Sequence, residues 1–146
     1  MEAHRVLKPG GVLFAVGVSR FASTMDGLRR GFLKDAHFAK MVDQDLEGGQ
    51  HRNPTKNPEY FMDTFFHHPD ELRHEVTEAG FVVTGVFGME GPAWLVPDFD
   101  EWWNNAEHRE RLLKIARMLE TEPSLLGVSA HLMAVAEKTG ELISHL

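Results

Sequence analysis

Residues 2–19, EAHRVLKPGGVLFAVGVS, decide how this chain folds. Ala3, Val6 and Leu7 recur at helical spacing, Pro9 cannot continue a helix, and Gly10-Gly11 supplies the backbone freedom to turn out of it. Val12, Leu13, Phe14, Ala15, Val16 and Val18 then form a nearly unbroken apolar run. Such a run predicts a strand covered on both faces of an α/β sheet, since a strand with one wet face alternates polar with apolar residues. The opening helix over residues 1–7 is barely two turns and reads as the end of something longer.

Working outward, Gly27 and Gly31 weaken a helix expected over residues 24–32. A second is expected over 33–46, where Phe38, Met41, Val42 and Leu46 keep helical spacing and Glu47-Gly48-Gly49 stops it. Asn53-Pro54 and Asn57-Pro58 mark 50–59 as an exposed loop. The clearest helix follows His68: Pro69 suits the first helical position, Asp70 and Glu71 favour the N-terminal dipole, and Leu72, Val76 and Ala79 form its buried stripe. Gly80 ends it, and residues 81–87 (FVVTGVF) follow as a second strand. Strand, helix, glycine and strand make a βαβ unit, so the two strands should run parallel. Gly91-Pro92 breaks the second strand, Trp94, Phe99, Trp102 and Trp103 enrich the connection, a helix is expected over 106–120, and 129–136 (SAHLMAVA) reads as a third strand.

The composition is that of an ordinary globular domain, 42% hydrophobic and 25% charged over 146 residues, which fits one domain over 1–146. Fifteen Lys and Arg against 22 Asp and Glu leave a net charge of −7, which argues against nucleic acid or an anionic membrane as partner. There is no cysteine, which excludes disulfides and thiolate chemistry and makes a cytoplasmic setting the natural expectation. No apolar run approaches a membrane span.

Residues 2–11, 66–81 and the neighbourhood of 98–102 resemble the closing portion of class I S-adenosylmethionine-dependent methyltransferases that act on small molecules. There a helix ending in Arg-Val-Leu-Lys-Pro-Gly-Gly, as Arg5–Gly11 does here, leads into the fifth strand. The resemblance implies a partial Rossmann-like sheet of three strands: two parallel, with an antiparallel third inserted between them. It also implies S-adenosylmethionine as cofactor of the complete fold. No G-x-G-x-x-G turn of the kind that cradles such a cofactor occurs in these 146 residues, so the chain alone is expected to bind none. The function implied is the substrate-facing C-terminal portion of a small-molecule methyltransferase. The alternative is a non-catalytic binding or oligomerisation module derived from one.

In an open α/β sheet the ligand crevice lies beyond the carboxyl ends of the parallel strands. The segments 20–66 and 91–128 should both project from that rim, either as helical lids over a substrate pocket or as cover for the core. Substrate contacts are expected from Arg20, Phe21, Tyr60, Phe61, His67 and Trp94, and no catalytic residue is singled out. Each has a plainer reading. Arg20 can clamp an acid or make a surface ion pair; His67 and His68 can supply a base or cap a helix. The aromatic residues can line a pocket or fill the core. His68, Glu71 and His74 lack the spacing of a two-His helical zinc motif, so no metal is expected. Asp26, Asp35, Asp43 and Asp45 read as a solvated helix face. One edge of the 12–18 strand should be bare, and bare edges recruit partners, so a homodimer or an N-terminal partner chain is expected there.

Overall fold

Helix α1, Glu2–Val6, gives way at Lys8-Pro9, and Gly10 takes a φ of 78° that swings the chain into strand β1, Val12–Ser19. Glycine enters that left-handed region without the strain other residues suffer. The structure, a computed structural model, describes residues 2–140; Met1 of the expected opening helix and the tail beyond Gly140 lie outside the described residues. After β1 come α2 (Ala22–Arg30), α3 (Ala36–Gly48), β2 (Gln50–His51), β3 (Thr64–His67), α4 (Pro69–Glu78), β4 (Val82–Gly88), α5 (Phe99–Asn104), α6 (Ala106–Leu119) and β5 (His131–Glu137).

The fold is α/β with one mixed sheet in the order β2-β3-β1-β5-β4. Strand β5 runs antiparallel to both β1 and β4, so those two are parallel to each other with β5 between them. The expected three strands are corrected to five. Segment 20–66 was expected as a helical lid, but its end joins the sheet: β3 lies parallel to β1, and β2 pairs antiparallel outside β3. The β-branched and aromatic run Thr64-Phe65-Phe66 suits a strand, and Phe66 is wholly buried where its amide donates to the Gly49 carbonyl at 2.6 Å. The expected bare edge is therefore covered in part. Only Val18 and Ser19 of β1 pair with β3, so residues 12–17 have no partner on that side among the described residues.

One face of the sheet carries the main core. Leu132, Ala134 and Ala136 alternate inward from β5 and meet Val86, Phe81, and Leu72 and Val76 of α4. The inward alanines let the helix approach closely, and Lys138 ties the far end by donating to the His4 and Leu7 carbonyls. On the opposite face Val12, Phe14 and Val16 are 49%, 63% and 56% exposed. The expectation of cover on both faces is thus corrected: no described element packs over that side.

A second core lies in the first insertion, where Phe38, Met41 and Val42 of α3 meet Tyr60. The solvated acidic face is corrected too, because Asp45 is fully buried and Asp26 nearly so. Asp45 falls on the same stripe as Phe38, Met41 and Val42, and its cost of burial is met by Ser23 Oγ at 2.7 Å and His51 Nδ1 at 2.8 Å. The Nδ1 contact fastens the loop over 50–59 to α3, His51 Nε2 reaches the Phe61 carbonyl at 3.1 Å, and part of a segment expected to be exposed is thereby buried.

The one-sided core makes a direct test. Leu132→Ala should cost about 3 kcal/mol, whereas Phe14→Thr on the open face should cost less than about 1 kcal/mol. Urea unfolding of both variants measures this, and equal losses would contradict the open face.

Candidate functional site

Strands β1, β3 and β4 end on one rim and β5 begins there, which brings Ser19, His67, Gly88 and His131 to the same edge. This is the side of an open α/β sheet where ligands bind. Ser19 anchors the corner: its amide donates to the Ala130 carbonyl at 2.9 Å and its hydroxyl to the Gly127 carbonyl at 2.8 Å.

The six residues expected from the sequence take different places. Arg20 sits at the rim but is 4% exposed; Nε donates to the Phe66 carbonyl at 2.9 Å and Nη2 to Glu71 Oε2 at 2.6 Å. Glu71 also accepts from the His68 amide at 2.8 Å, so one carboxylate caps α4 and holds Arg20. Burial raises the Glu71 carboxyl, but the His68 amide and the Arg20 charge outweigh it and hold it below the usual range. His67 stands on β3 at the rim, its Nε2 3.3 Å from Glu75, its Nδ1 buried without a partner. Gly17 of β1 makes room for that ring, since a Cβ there would lie 2.8 Å from Nδ1.

Phe21 packs edge-on to His68 and lines a cleft of about 730 Å³ between the start of α4 and residues 123–128. Tyr60 and Phe61 lie within the first insertion. The Tyr60 hydroxyl donates to Asp35 at 2.7 Å, which raises the phenol and lowers the carboxyl, and Phe61 stacks edge-on to His51 and Phe66. Trp94 donates from Nε1 to the Val128 carbonyl at 2.9 Å, and its carbonyl accepts from Arg29. Arg20 and His67 thus share the rim, Phe21 and Trp94 line separate clefts, and Tyr60 and Phe61 pack inside the first insertion.

Sequence reasoning missed a cluster beside Trp94. Glu90, two residues past β4, accepts through Oε1 from His131 Nδ1 at 2.5 Å, and through Oε2 from the Ser129 hydroxyl at 2.7 Å and the His131 amide at 3.0 Å. The fully buried Ser129 hydroxyl in turn accepts from the amides of Glu90 at 2.9 Å and Gly91 at 3.2 Å. Burial raises the Glu90 carboxyl, but donation from Ser129 and from the His131 ring and amide outweighs it, leaving it lower than usual. Glu90 also lines an apolar pocket of about 240 Å³, walled by Trp94, Phe99, Trp103, Leu112, Leu113 and Ala116. Within that lining it carries the one charge, the pattern of an apolar site with a single orienting polar group. The available signal was positional: Glu90 follows the end of one rim strand and His131 opens another.

No group of three or more His, Asp or Glu suited to a metal ion occurs among the described residues. No helix among them is long and apolar enough to cross a membrane. No protein-family model matches the chain, and a search of curated proteins finds no match.

The Glu90 contacts carry a pH signature. A carboxyl that titrates lower when folded adds stability that is full above its unfolded value and is lost as pH falls through its folded one. Glu90→Gln is therefore expected to be less stable than the parent at pH 7 by about 1 kcal/mol, with the gap closing below about pH 4. Urea midpoints at pH 7 and pH 3.5 check this; a gap independent of pH would contradict it.

Proposed function

We propose that this chain is the substrate-facing C-terminal portion of a small-molecule S-adenosylmethionine-dependent methyltransferase. The observation that carries the reading is the strand succession: β1 and β4 parallel, β5 antiparallel between them, with α4 leading from the rim back to the start of β4. Its support is strengthened by the second insertion, whose helices wall an apolar pocket at the carboxyl rim. Methyl transfer needs such a place, because the acceptor must be aligned and water kept out while the new bond forms. The residues present supply no glycine-rich turn for the cofactor, so the reading assigns cofactor binding to a portion outside these 146 residues and none to the chain alone. We place the protein in the cytoplasm on the same reading, with its cysteine-free composition in support.

A different observation favours a second reading, a methyltransferase-derived module without catalysis. The open apolar face of β1 and the unpaired edge over residues 12–17 are what a sheet offers to a second copy or to an N-terminal partner chain.

Two measurements separate the readings. Calorimetric titration of the purified chain with S-adenosylmethionine should give no saturable heat, and the coding sequence ahead of Met1 should carry a glycine-rich strand–turn–helix in frame. Saturable binding by the 146 residues alone would overturn the division of labour. A stop codon ahead of Met1, with a stable dimer by light scattering, would favour the module.

A further inference from the structure

His131 is the residue at the rim whose chemistry is left unassigned by its own fold. Its Nδ1 is committed to Glu90, and Glu90 is the one carboxylate within ion-pair distance of the ring among the described residues. The side chain remains 46% exposed, and Nε2 has no hydrogen-bond partner among the described residues. With Glu90 ionised, the Nδ1 proton points to the carboxylate, so the neutral ring presents Nε2 as an acceptor. Three fixed donors hold Glu90 in turn, two of them the Ser129 hydroxyl and the His131 amide. A buried serine, a carboxylate and an imidazole therefore form a relay of orientation whose free end faces outward.

His131 does not itself line the apolar pocket, but it touches two residues that do. Gly88 pairs with Leu132, and the Met89 amide donates to the His131 carbonyl at 3.0 Å, so Met89 and His131 are opposed across the ladder. Opposed residues share a face, with Cβ atoms about 5 Å apart. Met89 and Glu90 both line the pocket, and both touch His131. The imidazole thus stands beside two residues that line an aromatic-walled space of about 240 Å³.

We infer that the pocket beside β4 and α6 binds a small, mainly aromatic or aliphatic molecule that carries one hydroxyl or N–H donor, which it gives to His131 Nε2. Glu90 is the positioning residue, and Trp94, Phe99 and Trp103 supply the apolar walls. As a binding site this stands on geometry alone. That its occupant is the methyl acceptor rests on the reading above.

The test uses the full chain and two probes of one shape, 4-ethylphenol and ethylbenzene, followed by calorimetry and tryptophan fluorescence. The phenol is expected to saturate the site and to bind about tenfold tighter than the hydrocarbon, the worth of one hydrogen bond to an otherwise unpaired group. His131→Phe should abolish that preference, and Ala116→Leu, which fills the pocket, should weaken both probes. A readout in the parent chain needs no variant: the ¹⁵N resonance of His131 Nε2 should move with 4-ethylphenol and stay in place with ethylbenzene. Equal affinity for the two probes, an unmoved Nε2 resonance, or no binding by the folded chain would each overturn the inference. S-adenosylmethionine takes no part in this assay, so the chain can fail the cofactor test and pass this one, or the reverse.

Discussion

Strand β5 is the constraint on which the rest of the structure depends. It pairs along nearly its whole length with β1 on one side and β4 on the other, so Glu137 faces both Val12 and Val82 at one end, and Gly17 and Gly88 both face Leu132 near the other. An antiparallel strand in the middle forces its two neighbours to run the same way and sets them level. Their carboxyl ends then fall on one edge, and everything that follows those ends is delivered there: Arg20, Glu90 and, by its own start, His131. Period-two alternation on β5 does the second task, turning Leu132, Ala134 and Ala136 toward α4 and His131, Met133 and Val135 away from it.

The two ends of the rim are built by different electrostatic means. At β3, Arg20 is taken out of water and kept tolerable by a backbone carbonyl and the Glu71 carboxylate, a buried cation whose every named contact is structural. It joins β1, the first insertion and the start of α4. At β4, the buried group is Ser129, a neutral hydroxyl, and the charge it steadies remains partly in solvent on Glu90. A neutral hub costs less to bury than a guanidinium, and it leaves the outer nitrogen of His131 available. The side-chain nitrogen without a partner among the described residues therefore lies at the second end, although the basic residue at the first is the one a sequence draws attention to.

Much of the sheet was legible because its signals are local. Pro9 and Gly10, Pro69 with Asp70 and Glu71, and Gly80 with its φ of 93° each mark an element boundary by backbone chemistry, and the parallel relation of β1 and β4 followed from the helix between them. What the sequence concealed depends on partners distant in the chain. Four residues of β3 are too few to announce a strand beside β1, whose paired residues lie 48 positions away (Val18 with Phe66), and Gln50–His51 is shorter still. Asp45 stood in plain sight on the stripe of Phe38, Met41 and Val42, where its charge made a solvated reading natural until Ser23 and His51 were found beside it. The pocket was half legible: Trp94 was named, while Glu90 and His131 become a pair only once the register of β4 against β5 brings them together.

The discrepancy over the open face has a physical content of its own. A strand meant to show one side to water alternates, and β1 does not: Val12, Phe14 and Val16 point away from α4 as consistently as Leu13 and Ala15 point toward it. The register extends that surface sideways, because Phe14 is opposed to Val135, Val16 to Met133, and Met133 in turn to Phe87. On β5 polar groups return at the margins, at His131 near the rim and Glu137 at the far end, and on β4 the exposed Thr84 hydroxyl donates to the Val135 carbonyl. Apolar area left in water forgoes roughly 25 cal/mol for each Å² that a cover would remove, and a contiguous patch rimmed by polar residues is the mark of a surface that meets something. The apolar run in the sequence and the uncovered face in the structure are one fact seen at two levels. The pattern of β1 satisfies the requirement for two packed sides, and the described residues provide one of them.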